Sequence, residues 1–199
     1  MPNPPDHVFL PLGAGARAEP IARDWLAARW QIAPAAVPLQ RDGRGRPRLA
    51  APWAGHDVNW SHSGALLLIA TGHGLHIGCD LERIRARPNA VAIARRYFHP
   101  AEAEWLARLP AAAAERLFLR IWCAKEAVLK AHGHGIAFGL EKLRFEDGAT
   151  GLVLAECDPR LGRAPDWRIC ELPAVDGHLA TVAWLPHAAM PAAPAILAP

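Results

Sequence analysis

Asp80 and Glu82 stand two apart in the run Leu75–Glu82, alternating with the apolar residues Ile77, Cys79 and Leu81. A period of two is that of a strand, so both carboxylates point to one face and the apolar set to the other. Two acids side by side repel unless a cation or a partner lies between them. Gly78, just before, allows a ligand or another backbone to come close. A second group lies about forty-five residues on. Trp122, Glu126 and Lys130 recur every four residues, so they share one stripe of a helix. Taken singly, these groups also read as two solvated acids at a strand end and an ordinary surface ion pair. Trp122 argues against a fully solvated stripe. Three carboxylates, Asp80, Glu82 and Glu126, with no cysteine among them, would suit a hard cation, magnesium or manganese. Such an ion bridges protein oxygens to phosphates, and Lys130 would add a point charge there.

Arg41, Arg44, Arg46 and Arg48 interleave with Gly43, Gly45 and Pro47. This is either a solvated basic loop or an anion pocket in which glycines let backbone N–H groups approach phosphate. Asn59-Trp60-Ser61-His62-Ser63 follows, with groups able to bind phosphate oxygens. A Ser-His hydrolase is disfavoured, because neighbours on a strand such as Ser61 and His62 point to opposite faces. No histidine pattern matches a zinc spacing such as H-E-x-x-H. His76 shares the predicted face of Asp80 and Glu82 and could stand at the edge of their site.

The elements that must position these groups follow from pattern. Strands are expected at Val8–Leu12, Val58–His62, Ala65–Thr71 and Leu75–Glu82, the last two joined as a hairpin by Gly72-His73-Gly74. A helix is expected over Glu19–Gln31 with Ile21, Trp25, Ala28 and Ile32 near one face, and Gln40–Pro47 should be a loop or turn. Asn89–Phe98 and Pro100–Arg108 read as helices broken at Pro100. Pro110–Glu115 is an alanine-rich link into a long helix, Arg116–His132, which Gly133-His134-Gly135 ends. Short strands follow at Leu143–Phe145, Leu152–Glu156, Trp167–Leu172 and Leu179–Leu185. The order is α/β (α+β): two similar lobes, residues 1–100 and 101–185, with an Ala/Pro-rich tail from 186 to 199.

The 199 residues, 52% hydrophobic and 21% charged, suffice for one substantial core or two lobes sharing a core. A net charge of +3 lacks the dense basic stripe of a nucleic-acid binder. The N-terminus does not read as a signal peptide, and the longest apolar run, Ala65–Ala70, is too short to span a bilayer. Four scattered cysteines with no C-x-x-C pair suggest reduced thiols in a cytoplasmic protein.

In combination the motifs resemble the 4'-phosphopantetheinyl transferases of the type that activates surfactin synthetase. The matching stretches are Gly45-Arg46-Pro47, Asn59 to Ser63, Ile77-Gly78-Cys79-Asp80-Leu81-Glu82, Phe98-His99-Pro100-Ala101-Glu102, Trp122 to Lys130 and Gly133-His134-Gly135. They cover roughly residues 40 to 145. The resemblance implies a pseudo-two-fold pair of lobes, each a small, mostly antiparallel sheet packed with a long helix, with coenzyme A between them. It implies that Asp80, Glu82 and Glu126 hold Mg2+ against the pyrophosphate and that Lys130 contacts the phosphates. Ser61 and His62 would bind the 3'-phosphate region, and Gly45, Arg46 and Pro47 would border the adenine nucleotide. Glu102 matches a further acidic position near the family's active site. Surfactin-type members have a longer N-terminal segment with Lys/Arg contacts to the 3'-phosphate, for which Arg17 or Arg23 would have to substitute here.

The implied reaction moves phosphopantetheine from coenzyme A to a serine of an apo acyl or peptidyl carrier protein, with Glu126 as the candidate for taking the serine proton. An exposed apolar patch near Asn89–Arg108 or Arg116–His132 would receive the carrier. The protein would be a cytoplasmic monomer with no nucleic-acid or membrane partner. Two rivals use the same residues: another magnesium-dependent enzyme that cleaves a nucleotide pyrophosphate, and a non-catalytic carrier-binding protein.

Overall fold

The computed structural model describes residues 4–190. The continuous apolar run of β5 (Leu66–His73), paired with β4 (His56–Ser63), gives a sheet with two buried faces. β1 (Asp6–Pro11) completes it in the order β1-β5-β4, all antiparallel. Val58, Leu67 and Ile69 face α1 (Ala18–Trp30), whose buried stripe is centred on Ala22 and Leu26. Ile21 and Trp25 flank that stripe, and Ala28, expected within it, is exposed. Leu68 and Ala70 on the opposite face pack against a second sheet, through Ile77, Cys79 and Leu81 of β6 (Leu75–Arg83).

That second sheet corrects the expected hairpin. β6 forms no ladder with β5. Its partner is β10 (His178–Pro186), which also pairs with β9 (Arg168–Val175) in the order β6-β10-β9. The real hairpin is β4–β5, turned at Gly64 with φ +61°. Gly74, at φ +70°, does not fold β6 back on β5; it sends the chain into the second sheet. Where β6 meets β4 the link is made by side chains. Asp57, Asn59 and Ser63 accept from the backbone N–H of Ile77, Cys79 and Arg83 at 2.8, 3.0 and 3.0 Å. Three N–H groups of the β6 edge that faces β4 are thus satisfied without a backbone ladder.

The other face of the second sheet is covered by α4 (Ala111–His132). The expected alanine link belongs to this helix, because Ala111–Ala114 have the highest helix propensity and Pro110 caps rather than breaks it. α2 (Ala90–Tyr97) and α3 (Pro100–Ala107) pack on its outer side, with Phe98, Phe118 and Phe145 in the core. β7 (Leu143–Gly148) and β8 (Gly151–Cys157) form a separate hairpin there. Gln40–Pro47, expected as a loop, carries the two short strands β2 (Leu39–Arg41) and β3 (Pro47–Leu49) around its turn. At the start of the stretch expected as a tail from 186, Pro186 ends β10, and His187 donates its N–H to Gly74 O at 2.9 Å. Residues 191–199 lie outside the described residues. Among the described residues no helix is long and apolar enough to cross a membrane.

Candidate active site

Gly78 sets the site's geometry. A Cβ there would lie 1.9 Å from Ala127 O and 2.4 Å from Ala131 N, so α4 rests directly on β6 backbone. This close approach places Lys130 over Asp80, the next residue of the same strand face. Asp80 is buried; its Oδ1 accepts from Lys130 Nζ at 2.6 Å and from Ser61 Oγ at 2.9 Å. Lys130 Nζ also lies 3.0 Å from Ser61 Oγ, closing a three-membered cluster. Asp80 Oδ2 is buried with no hydrogen-bond partner.

Glu82 is half-buried and faces Arg87 at 3.4 Å; burial and then the Asp80 charge raise its carboxyl above the usual range. Glu126 is buried, with no hydrogen bond or ion pair to any described residue. Burial pushes its carboxyl up to about 7, with Asp80 and Glu82 adding to the rise against the pull of Lys130. Burial is thus the first cause at both Glu82 and Glu126; the neighbouring acids add to it, and Lys130 and, at Glu82, Arg87 offset part of the rise. They do not form a closed cage: among the described residues no three His, Cys, Asp or Glu side chains surround a point that could hold an ion. The donor chemistry nonetheless fits magnesium. The ion prefers oxygen, and it is bound through one or two carboxylates plus substrate phosphates rather than a complete protein cage. The orphaned Asp80 Oδ2 and the unpaired Glu126 are oxygens of that kind.

Glu126 gives a testable pH dependence. A carboxyl near 7 when folded, against 4.5 unfolded, binds its proton more tightly in the native state. Its stabilising contribution is present below pH 4.5 and is lost as pH rises through 7. His76 and His132, each held down to about 4, act with the opposite sign between 4 and 6.5. The comparison with Glu126→Gln isolates the carboxyl. In chelator, wild type should lose roughly 1–3 kcal/mol relative to that variant between pH 5 and 8, after allowing for partial solvent screening. Denaturant melts at the two pH values check this.

The other expected residues fall elsewhere. Glu102 is not part of this group. It is buried in an ion pair with Lys125 at 2.7 Å, accepts from Phe145 N–H at 2.7 Å, and closes the His99 cap of α3. Lys125 also donates to the carbonyls of Leu140 and Leu143, and burial brings it down to about 8. This pair ties α3 and β7 to α4. Trp122 is partly buried against Phe98 and Phe118, which explains an aromatic on the stripe. His62 is exposed, on the face of β4 opposite to Ser61.

The basic loop also differs from the anion nest. The N–H groups of Arg44 and Arg46 both donate to Asp42 Oδ1 at 3.0 Å, so the loop's own carboxylate occupies that position. Gly45, at φ +79°, makes this turn possible. Pro47 is buried at the start of β3. Arg46 runs inward, pairing with Asp57 and donating to Ile77 O at 2.8 Å. Sequence reading missed Asp57, and it gave Asn59 and Ser63, which lie in a matching stretch, no part in joining β4 to β6. Their signal was a polar residue at every second position of β4, opposite Val58 and Trp60.

Taken together, a buried carboxylate cluster with a lysine, seated between a two-sheet core and a long helix, defines a site suited to cation-assisted phosphate chemistry. A family model described as the 4'-phosphopantetheinyl transferase superfamily matches residues 76–183. The chain is 36% identical over 166 residues to 4'-phosphopantetheinyl transferase HetI of Nostoc sp. (strain PCC 7120), covering 82% of this chain and 67% of that one. It is 29% identical over 170 residues to the putative 4'-phosphopantetheinyl transferase slr0495 of Synechocystis sp., covering 80% and 66%. It is 34% identical over 121 residues to 4'-phosphopantetheinyl transferase psf-1 of Bacillus pumilus, covering 59% and 50%. The chain belongs to the 4'-phosphopantetheinyl transferase superfamily. It spans half to two thirds of the length of these relatives.

Proposed function

We propose that this chain transfers the 4'-phosphopantetheine group of coenzyme A to a serine of an apo acyl or peptidyl carrier protein, releasing 3',5'-ADP. The observation that carries the reading is Asp80, buried with one oxygen on Lys130 and the other unpartnered, beside the unpaired Glu126. Asp80, Glu82 and Glu126 are the residues that would hold Mg2+, which supplies charge neutralisation to the pyrophosphate when bound.

In this reading Lys130 holds a phosphate oxygen, and Ser61 keeps Lys130 and Asp80 in register. The carrier serine oxygen bonds to the phosphorus bearing pantetheine. The bond from that phosphorus to the bridging oxygen breaks, and 3',5'-ADP leaves with the electron pair. Glu126 receives the serine proton as the general base of the reaction. Gly45, Arg46, Pro47, Ser61 and His62 border the nucleotide. A cleft of about 550 Å³, lined by the apolar Trp105, Leu109 and Leu179 and by the charged Arg116, Arg120 and Glu171, would take the pantetheine arm. Thr181, which lies opposite Asp80 on β10, is part of its wall. Of the two lobes, 1–100 and 101–185, the first supplies β6 with Asp80 and Glu82, and the second supplies α4 and β10 and the whole lining of this cleft. The carrier docks on exposed Ile84 and Tyr97, among the exposed arginines 83, 85, 95 and 96. The protein acts as a cytoplasmic monomer, without nucleic acid or membrane.

The test is incubation with coenzyme A, magnesium and several apo-carriers, read by intact mass. A carrier gaining one phosphopantetheine, lost with chelator, supports transfer. Coenzyme A cleaved with the carrier mass unchanged would make the chain a pyrophosphate-cleaving hydrolase. Carrier binding with coenzyme A intact would make it a non-catalytic partner.

A further inference from the structure

Two arginines beside α4 differ in how firmly their charge is held. Arg120 grips Glu171 through two nitrogens, at 2.6 and 2.8 Å, and reaches Asp147 at 3.3 Å. Arg87 meets Glu82 by one contact, at 3.4 Å, against about 2.7–2.9 Å for a good charge-assisted bond. Its Nε is buried and has no hydrogen-bond partner among the described residues. The backbone of Arg87 is fixed all the same. Its N–H donates to Glu115 Oε2 at 2.6 Å, and its carbonyl accepts from Ala90 N–H at 2.8 Å. The residue is anchored while its charged end is loose.

What that loose end faces is one of the three acids of the candidate site. Glu82 has no other hydrogen bond or ion pair among the described residues. Of the charges that act on it, Asp80 repels and Arg87, Arg85 and Lys130 attract, Arg87 most strongly. Lys130 is already taken by Asp80. Without an ion, the carboxylates need a second cation nearby, and Arg87 is placed to be it. With an ion bound, the same guanidinium is a like charge beside a divalent one.

We propose that Arg87 is the counter-ion of Glu82 in the metal-free protein and gives Glu82 up when Mg2+ binds, so that this exchange sets the metal affinity of the site. The inference rests on the metal reading above. Arg87 acts through Glu82 and is a positioning residue. Two effects of opposite sign compete. Arg87 orients Glu82, which favours the metal; it also repels the metal and must first leave the carboxylate. A single long contact between partly exposed groups orients weakly. Repulsion between a unit charge and a divalent ion one side chain away is the larger effect, about three- to tenfold in affinity at physiological salt. Loss of Arg87 should therefore tighten metal binding, which loss of a merely structural arginine would not do.

The test is titration of the full chain, stripped of metal and freed of chelator, with Mn2+, read by loss of the free-ion electron paramagnetic resonance signal. Wild type should bind Mn2+, and Asp80→Ala should bind it far more weakly. Arg87→Ala and the longer, uncharged Arg87→Gln should each bind about three- to tenfold more tightly than wild type. Arg87→Lys, which keeps the charge, should stay within about twofold of wild type, as should Arg85→Ala, which removes an exposed and screened charge. Thermal melts should agree. In chelator the two uncharged variants melt below wild type, and saturating Mn2+ raises them by more than it raises wild type. Equal or weaker Mn2+ binding in both uncharged variants, or the same tightening in Arg87→Lys as in Arg87→Ala, would overturn the proposal. Failure of the metal reading looks different: wild type would leave Mn2+ free, or Asp80→Ala would bind it as well, and the proposal would fall with that reading. Failure of the transfer reading alone would leave Mn2+ binding intact and every apo-carrier unmodified.

Discussion

Asp80→Ala is expected to slow carrier modification by about 10²–10³-fold, the scale at which loss of one preorganised electrostatic group is felt. Asp80 is the one acid that touches both Lys130 and Ser61, and its second oxygen is the buried acceptor left without a partner. Removing it frees Lys130 from its position and takes away the central member of the three-acid group. The loss should be chemical first and structural second. Lys130 is partly exposed, so its unpaired ammonium can turn to water, and the stability cost should stay near 1–3 kcal/mol. Asp80→Asn, which keeps the shape and one acceptor, should fold like wild type and remain slow. Initial rates by intact mass, with thermal melts alongside, separate the two effects. A wild-type rate in Asp80→Ala would place the chemistry elsewhere in the molecule.

Much of this site is local in sequence. The alternation in Leu75–Glu82 put Asp80 and Glu82 on one face, and the four-residue repeat put Glu126 and Lys130 on one stripe. Both features depend only on the geometry of a single element. What could not be read is which elements pair. β6 finds its ladder in β10, about a hundred residues later, and nothing within Leu75–Glu82 names that partner. Gly72, inside β5, and Gly74, just after it, looked like a hairpin turn because a local turn and a departure to another sheet use the same residues. Glu102 illustrates the same limit. It belongs to a matching motif and pairs with Lys125, the immediate neighbour of Glu126, yet one residue along a helix is a rotation of about 100°. Lys125 therefore faces the buried α3 and β7 side while Glu126 faces the acids. Arg46 carried a signal of charge, but only the fold shows that charge spent on Asp57 in the interior.

Gly78→Ala is expected to be the most damaging single-methyl change in the described chain. It should cost about 3 kcal/mol or more, enough to lower the melting temperature by roughly 10 °C or leave the protein insoluble. The reason is not backbone conformation, since Gly78 is not among the positive-φ glycines. It is space: the new methyl would sit 1.9 Å from Ala127 O, 2.4 Å from Ala131 N and 3.0 Å from Ala127 C. All three are main-chain atoms in the last two turns of α4, so no rotamer change relieves the clash and the helix itself must lift. A lifted helix carries Glu126 and Lys130 away from Asp80, so any folded Gly78→Ala protein should also be nearly inactive. Two companions make the cause visible. Gly43→Ala, where nothing lies within 4 Å and φ is not positive, should melt with wild type. Ala127→Gly should not rescue Gly78→Ala, because the atoms struck belong to the peptide and not to the alanine methyl. Equal melting of Gly78→Ala and wild type would mean that α4 does not lie on β6 at this point, and the contact between Lys130 and Asp80 would go with it.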